Sequence, residues 1–466
     1  MKRLLLSLVF CTSIIATKAQ QKIPYAINNF MTVEDKLYAL SKVWSEARYN
    51  EVYFNNVGED VWDSTYLALI KPVMESKSDN ECYRLLSHYC AMLKDGHSFV
   101  FYEYDPTVTT YFDKFQIIVQ PIEGKAFVAQ ISSKKSDWIP VGSEIVEVNG
   151  MPTTDYIKEM VMPYQSSSTE HHLIDISIKK LFRSLRYDAY DITFETPDGK
   201  EIRTHVIHDF PPEIKEDPMI PASKEWKFID LKWFKGDVAY IAINSFSSNQ
   251  VVEEFDSIFP EIIKRAKKLI IDIRDNSGGN NFTAAQILSR LTPNDELVGS
   301  IWFTRIHNPA YMSWGKNLNP KDTIENSYNK TLYEISHHTY YEKMRENNYS
   351  FDIDRERLVI PTVILIGHQT FSAAEDFLVM CDNQEHITLI GEVTGGSTGN
   401  SIMWDLPYGG TVRICSKKDT YPDGREFVGY GIKPDIESHL TVDDFRKARD
   451  TVLETALDFL KNRNYL

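Results

Sequence analysis

Ser372 is the residue whose surroundings most strongly indicate chemistry. It follows a short apolar segment beginning at Val363 and precedes a helical pattern that opens with Ala373. A serine at the first turn of a helix meets backbone N–H groups that lack intrahelical partners, and the positive end of the helix dipole. A nucleophile can be built in this way beside an oxyanion-binding site. The alternative is that Ser372 only caps the helix, because serine is among the preferred N-cap residues.

A second segment has the same strand-turn-helix pattern. Residues 269–280, LIIDIRDNSGGN, predict an apolar strand, a charged turn and paired glycines, Gly278 and Gly279, before a helix over residues 282–291. Glycines at such a junction allow a sharp turn and expose backbone N–H groups to a ligand. Such glycines are also common in α/β proteins that bind nothing there.

These segments belong to four motifs whose order resembles the signature of the S41 family of serine peptidases, which includes C-terminal processing peptidases and the tricorn protease core. The motifs are Asp272-Ile273-Arg274-Asp275-Asn276-Ser277-Gly278-Gly279, Ser372-Ala373-Ala374-Glu375, Gly391-Glu392-Val393-Thr394-Gly395 and Gly431-Ile432-Lys433-Pro434-Asp435. The resemblance implies a ClpP/crotonase-like α/β core. It also implies peptide hydrolysis at Ser372, an oxyanion hole from Gly278, Gly279 and Ala373, and no metal or cofactor.

The chain departs from the C-terminal processing branch of that family. That branch pairs its serine with a lysine in the loop after the third motif, where this chain has Ser397. A hydroxyl does not accept a proton near neutral pH, so the serine–lysine dyad is absent. We expect the loop itself to border the substrate; its residues are Thr394, Gly395, Gly396 and Ser397.

The tricorn-like branch uses a histidine as base, and His97 occupies a matching context. It lies in Asp95-Gly96-His97-Ser98, after a helical pattern and before an apolar strand. Histidine is well suited to take a proton from a hydroxyl near pH 7. The alternative is a histidine that pairs with the last carbonyls of the helix. The tricorn pattern has a serine directly before its histidine, so here a hydroxyl that orients the imidazole is missing or comes from elsewhere.

The third catalytic residue is predicted to be Glu426, the carboxylate nearest the position implied by the tricorn branch. Its task would be to accept a hydrogen bond from the far ring nitrogen of His97 and so fix the tautomer. The match requires a two-residue shift, and a solvated loop charge beside Arg425 is an equal alternative. Asp95 and Glu375 are weaker substitutes.

The first residues have the pattern of a secretory signal peptide. Lys2 and Arg3 precede an apolar run, and small side chains stand at Thr17 and Ala19, which predicts cleavage after residue 19. The apolar run is too short to span a bilayer. We therefore expect a periplasmic or extracellular protein. A net charge of −15 argues against a nucleic-acid partner.

The mature chain has the pattern of a multidomain α/β protein. We predict an N-terminal helical domain over residues 20–105 carrying His97, a PDZ-like β domain over 106–210 and the peptidase core over 211–466. Residues 141–150, VGSEIVEVNG, resemble a PDZ stretch, although an ordinary hairpin with an Asn-Gly turn has the same pattern. A PDZ domain would bind extended peptide ends.

Residues 302–354 interrupt the core with many aromatic side chains, and we interpret them as an insertion that would form a lid. Its adjacent His337 and His338 point apart and have no third ligand at suitable spacing, so no metal site is predicted.

Together, the patterns favour a secreted serine peptidase acting on peptide or protein substrates. Two alternatives stay open: a non-catalytic peptide- or lipid-binding protein on the same scaffold, and a serine esterase. The oligomeric state does not follow from the sequence.

Overall fold

The computed structural model describes residues 30–102, 108–109, 117–185, 188–208, 218–222 and 225–462. The helices in this part of the chain are α1 (Val33–Asn50), α2 (Glu59–Glu75), α3 (Asp79–Ala91), α4 (Thr153–Tyr156), α5 (Glu170–Lys179), α6 (Gln250–Arg265), α7 (Asn281–Ser289), α8 (Pro309–Gly315), α9 (Ser327–Ser336), α10 (Ala373–Cys381), α11 (Val442–Arg446) and α12 (Thr451–Asn462). The strands are β1 (Phe99–Tyr102), β2 (Val108–Thr109), β3 (Ile117–Ile122), β4 (Lys125–Ser132), β5 (Glu144–Val148), β6 (Met151–Pro152), β7 (Ser184–Leu185), β8 (Ala189–Glu195), β9 (Glu201–Ile207), β10 (Met219–Ile220), β11 (Ile229–Phe234), β12 (Val238–Ile243), β13 (Lys268–Asp272), β14 (Glu296–Arg305), β15 (Tyr341–Ser350), β16 (Thr362–Ile366), β17 (Ile387–Gly391), β18 (Ser401–Asp405), β19 (Gly410–Cys415), β20 (Lys418–Thr420) and β21 (Ile436–Glu437). These elements form a multidomain α/β fold.

The C-terminal half is built on a six-stranded sheet in the order β11-β12-β13-β16-β17-β21. All neighbouring strands in it are parallel except β11 and β12, which are antiparallel. The central strands are apolar on both faces because helices cover both sides. Ile271 and Ile364 pack in the cluster that includes α6, α7 and α10, whereas Ile270 and Val363 pack on the opposite face with α12. Strands β13 and β16 therefore end side by side, and each leads into one of the predicted functional turns.

The N-terminal helices form a second core that includes strands from the far end of the chain. Trp62 on α2 stacks on Tyr89 of α3 with 3.8 Å between ring centroids, and both side chains are buried. After α3, strand β1 pairs antiparallel with β19, which in turn pairs with β18. The predicted helical domain over residues 20–105 is thus completed by strands from the C-terminal half. This pairing fixes the turn between α3 and β1, where His97 lies, against the S41-like motifs.

A seven-stranded antiparallel sheet made of β3, β4, β5, β6, β8, β9 and β10 forms the middle part of the chain. Strand β10 pairs with β4, so this sheet continues beyond the boundary predicted at residue 210. The Asn-Gly turn is present between β5 and β6, where Asn149 and Gly150 have φ values of 51° and 78°. Positive φ at both positions is the geometry for which asparagine and glycine are favoured in tight hairpins. Helix α5, which the strand-rich pattern did not predict, packs against β3.

The aromatic-rich residues 302–354 begin within β14 and end beyond β15, and these two strands form an antiparallel hairpin that carries α8 and α9 between them. The hairpin contacts the N-terminal part: Asn55 donates to the carbonyl of His338 at 2.6 Å, and Tyr341 donates to the carbonyl of Val52 at 2.9 Å. The insertion is therefore docked on the helical core, and the lid role stays a prediction.

The signal peptide predicted for residues 1–19 lies outside the described residues. In the described ranges, no helix combines the length and the apolarity that crossing a bilayer would require. The described cysteines, Cys82, Cys90, Cys381 and Cys415, are all buried free thiols.

Candidate active site

Ser372 stands on a strained turn between β16 and α10. Its φ of 57° and ψ of −125° are unusual for a residue with a side chain, and such strain is commonly found at functional sites. Its hydroxyl makes no capping hydrogen bond to the helix, so the interpretation of Ser372 as a simple N-cap is wrong. The backbone of the turn is held by the Ser372 N–H, which donates to the Ser397 carbonyl at 3.0 Å. The Ser372 side chain is half-buried, and its hydroxyl is available to partners outside α10.

His97 lies against this serine. Its Nε2 is 3.1 Å from Ser372 Oγ, and its Nδ1 is 2.9 Å from Ser397 Oγ. Because both ring nitrogens meet serine hydroxyls, the alternative of a histidine pairing with helix carbonyls is wrong. The imidazole also stacks on Phe371, with 4.9 Å between ring centroids. The sequence alone predicted a histidine here. The pairing of β1 with β19 places His97 beside Ser372, which is 275 positions away in the chain.

The imidazole of His97 is held neutral by its surroundings. Burial, together with the positive charges of Arg413 and Lys417, lowers the pKa of His97 to about 3. A neutral ring can accept the Ser372 proton at Nε2 only if its hydrogen is on Nδ1, from which it would donate to Ser397 Oγ. The geometry therefore fits a general base with one available lone pair.

Glu426 is not brought to the imidazole. Its exposed carboxylate accepts a hydrogen bond from Lys418 Nζ at 2.6 Å, and the far nitrogen of His97 is taken by Ser397. The group that contacts Nδ1, where a triad carboxylate would be expected, is the neutral hydroxyl of Ser397. The match of Glu426 with the tricorn branch required a two-residue shift, and this shift was the sign in the sequence that the positions do not correspond.

The two substitute carboxylates are both buried near the site. Asp95 accepts from the backbone N–H of His97 at 3.2 Å and from Ser168 Oγ at 3.3 Å, and burial raises its pKa to about 6. Glu375 accepts from Thr394 Oγ1 at 2.5 Å, Gly396 N at 2.9 Å and Ser397 N at 2.8 Å. Burial raises the pKa of Glu375 to about 7, while these hydrogen bonds oppose the shift. Neither carboxylate contacts the His97 ring.

The predicted oxyanion residues surround the serine in unequal ways. A Cβ added at Gly278 would lie 2.7 Å from both Ala373 N and Ser372 Cβ, so Gly278 leaves open the space beside the nucleophile. The Gly278 N–H itself donates to Asn276 Oδ1 at 2.8 Å and is therefore occupied. Within the described ranges, the N–H groups of Gly279 and Ala373 have no hydrogen-bond partner.

We expected the loop over residues 394–397 to border the substrate, but it does not border open space. Thr394, Gly395, Gly396 and Ser397 are all buried, and the loop packs beneath the nucleophile turn. A cleft of about 480 Å³ lies at Lys94, close to the turn that carries His97. Lys94, Ser168, Tyr341, Lys418 and Glu426 are among the residues that line it.

Within the ranges that the structure describes, no lysine hydrogen-bonds to Ser372 Oγ. The charge of Lys417 contributes to lowering the pKa of His97, but its Nζ pairs with Asp419 Oδ1 at 3.0 Å. Among the described residues, the side chain hydrogen-bonded to Ser372 Oγ is that of His97. No group of three or more histidine, cysteine or acidic side chains in the described part of the chain has the arrangement of a metal site.

Residues 237–438, which contain all four motifs, match the model of peptidase family S41. The S41 family predicted from the motifs is thereby confirmed for this part of the chain. The S41 chain is 26% identical over 205 residues to the carboxy-terminal processing protease CtpA of Bacillus subtilis (strain 168), in an alignment covering 44% of this chain and 35% of that relative. It thus matches about a third of the length of that relative.

Two solved structures share the fold over nearly the whole chain. The S41 chain superposes on mature CPAF complexed with lactacystin with a TM-score of 0.66 and 16% identity, covering 92% of this chain and 98% of that one. For mature CPAF alone the TM-score is 0.66 and the identity 16%, with coverage of 92% and 96%. The two superpositions show that this chain shares its overall fold with CPAF.

Proposed function

We propose that the S41 chain hydrolyses peptide bonds through an acyl-enzyme at Ser372, with His97 as general base. The observation that carries the proposal is the 3.1 Å contact between His97 Nε2 and Ser372 Oγ, on a strained turn of an S41 core. Nucleophile and base within hydrogen-bond reach, with the base held by a third group, form the arrangement expected of covalent hydrolysis.

The reaction follows from these positions. Ser372 Oγ attacks the peptide carbonyl carbon while its proton moves to His97 Nε2. The tetrahedral intermediate collapses when the imidazolium returns that proton to the leaving amine, which leaves the acyl group on Ser372. A water molecule then gives its proton to His97, attacks the ester carbonyl, and releases the second product as Ser372 recovers its proton.

The negative charge that develops on the carbonyl oxygen needs donors already in place. The N–H groups of Ala373 and Gly279 are unpaired in the described part of the chain, and the missing side chain of Gly278 leaves room beside Ala373 N. We propose these two N–H groups as the oxyanion hole. Each donor of this kind contributes about 3 kcal/mol to the stabilisation of the transition state.

The substrate class and location are part of the proposal. The likeness to CtpA favours a processing peptidase that acts on peptide or protein substrates. The cleft lined by Lys94 and Ser168, close in sequence to His97 at Lys94, would hold part of the chain to be cleaved. The antiparallel middle part would act as a PDZ-like module for peptide ends, and the parallel core would have the ClpP/crotonase-like fold. The predicted signal peptide would export the enzyme to the periplasm or beyond the cell.

The test compares the Ser372→Ala variant with a Ser64→Ala control, whose serine is exposed on α2. The wild type and the control should react with a fluorophosphonate probe and hydrolyse a denatured protein such as casein. The Ser372→Ala variant should lose both properties, with kcat lower by about 10⁶-fold, while its thermal unfolding stays unchanged.

The same experiment separates the alternatives. Undiminished hydrolysis by Ser372→Ala would refute the assignment of the nucleophile. A wild type that binds peptide or lipid but is never labelled would be a binding protein on this scaffold. Turnover of simple esters without any turnover of peptides would indicate an esterase.

A further inference from the structure

Ser397 connects the nucleophile and the base through its carbonyl and its hydroxyl, and its N–H binds a third residue. Its carbonyl accepts from the Ser372 N–H at 3.0 Å, and its hydroxyl meets His97 Nδ1 at 2.9 Å. Its own N–H donates to Glu375 Oε2 at 2.8 Å. The Ser397 side chain is fully buried, so no solvent competes for the hydroxyl. One residue therefore sets the position of both reacting side chains.

Glu375 fixes the loop that carries Ser397. This fully buried carboxylate receives a hydrogen bond from the Thr394 hydroxyl and from the N–H groups of Gly396 and Ser397, so both of its oxygens are engaged. Hydrogen bonds to a carboxylate are about twice as strong as bonds between neutral groups. A loop with this many ties to one rigid helix has little freedom to move.

We propose that Ser397 is a positioning residue for His97, and that Glu375 acts on the imidazole through Ser397. A buried carboxylate thus serves the catalytic histidine across one intervening residue, where a Ser-His-Asp triad has direct contact. The Ser397 hydroxyl accepts the Nδ1 hydrogen and so keeps the Nε2 lone pair aimed at Ser372. This inference rests on the proposed peptidase function and adds the means by which its base is oriented.

The arrangement differs from a triad in its electrostatics. A carboxylate at Nδ1 would stabilise the imidazolium by direct charge and raise the pKa of the ring. A neutral hydroxyl supplies orientation without that charge, in agreement with the lowered pKa of His97. Stacking on Phe371 restrains the ring plane, and the hydroxyl then selects the rotation within that plane.

The first test is Ser397→Ala. Its kcat on a peptide substrate should fall by about 10- to 100-fold, as expected when a group that orients a histidine is removed, while KM stays near the wild-type value. Ser397→Cys keeps a side chain of similar shape with a weaker acceptor, and its kcat should lie between the two. Thr398→Val is the matched control, because it removes a neighbouring buried hydroxyl that donates to Asp419 and not to His97. Its kcat should be unchanged.

A spectroscopic measurement separates orientation from general damage. With ring-¹⁵N-labelled histidine, the His97 signals, assigned by their loss in His97→Gln, should show Nδ1 protonated and Nε2 unprotonated in the wild type. Ser397→Ala should shift the ring towards a mixture of tautomers. An unchanged tautomer together with wild-type kcat in Ser397→Ala would overturn the proposal.

A double-mutant cycle tests whether Glu375 acts through Ser397. Any orientation of the amide in Glu375→Gln places an NH₂ group against an N–H or O–H donor, because both carboxylate oxygens are acceptors. Glu375→Gln should therefore lower kcat, and Ser397→Ala/Glu375→Gln should be no slower than the slower single variant. Fully additive losses would refute the coupling.

The proposed function and this inference fail in distinguishable ways. If the wild type neither reacts with the fluorophosphonate nor cleaves peptides, the peptidase assignment fails. If the wild type does both and Ser397→Ala equals it in kcat and tautomer, only the positioning role fails.

Discussion

Replacing Gly278 with alanine tests the space around the nucleophile directly. An added Cβ would lie 2.7 Å from Ala373 N, Phe371 O and Ser372 Cβ. The Phe371 and Ala373 atoms belong to the backbone of the nucleophile turn and cannot rotate away. The methyl group would occupy the place where the carbonyl oxygen of a substrate has to approach the Ala373 N–H.

Two costs follow from this geometry. Gly278 has a φ of 97°, a conformation that residues with side chains rarely adopt, so the variant should lose about 1–3 kcal/mol of unfolding free energy. Blocking access to one oxyanion donor should lower kcat by about 100- to 1,000-fold. The loss of activity is thus expected to exceed what partial unfolding would cause in a domain of ordinary stability.

The assay measures kcat and KM on a fluorogenic peptide, together with the thermal midpoint followed by circular dichroism. Gly367→Ala is the matched control, because a Cβ there would come no closer than 3.7 Å to any atom outside its chain neighbours. Gly367 is buried, but its φ lies outside the left-handed region and the site has room for a methyl group. The kcat of Gly367→Ala should therefore stay within about twofold of wild type. A folded Gly278→Ala enzyme with wild-type kcat would refute the placement of the oxyanion site.

Three further predictions concern the base, the N-terminal core and the thiols. The proposed mechanism needs neutral His97, whose pKa is lowered to about 3. The value of kcat/KM should therefore persist as the pH falls from 7 to 5, where a base of ordinary pKa would lose about 25-fold. A pH–rate profile with an inflection near 6.5 would contradict this. Trp62→Ala should lower the free energy of unfolding by about 3–5 kcal/mol in denaturant titration, because it removes a fully buried side chain that stacks on Tyr89. A loss under about 1 kcal/mol would mean that this core is not packed as described. Burial raises the pKa of the described cysteine thiols, to about 11 for Cys82. Ellman's reagent should therefore react with them only after unfolding. Rapid reaction of the native protein would show that the thiols are accessible.

Much of the secondary structure follows from sequence periodicity. The apolar strand predicted at the start of residues 269–280 is observed as β13, and the helix predicted over residues 282–291 is observed as α7. The charged turn and paired glycines between them mark both boundaries, which makes the local pattern sufficient. Helix α5 was missed because it is a single amphipathic segment in a region otherwise rich in alternating strands.

The choice of partners around His97 could not be obtained in the same way. Ser397 was discounted in the sequence because a hydroxyl is no base, yet its hydroxyl contacts Nδ1 of His97. Glu426 had the right charge but pairs with Lys418. Chemical type decides what a residue can do, whereas contact depends on loop geometry that leaves no periodic signal.

The sequence by itself predicted the S41 motifs, a serine on the turn before a helix and a histidine candidate for the base, because these depend on local motifs whose residue types are dictated by backbone geometry and acid–base chemistry. Only the tertiary structure decided how His97 is held. The pairing of β1 with β19 carries the histidine to Ser372, and the hydrogen bonds of Glu375 fix Ser397 at its other nitrogen. Such contacts join residues far apart in the chain, and the free energy that selects them comes from the packing of whole elements.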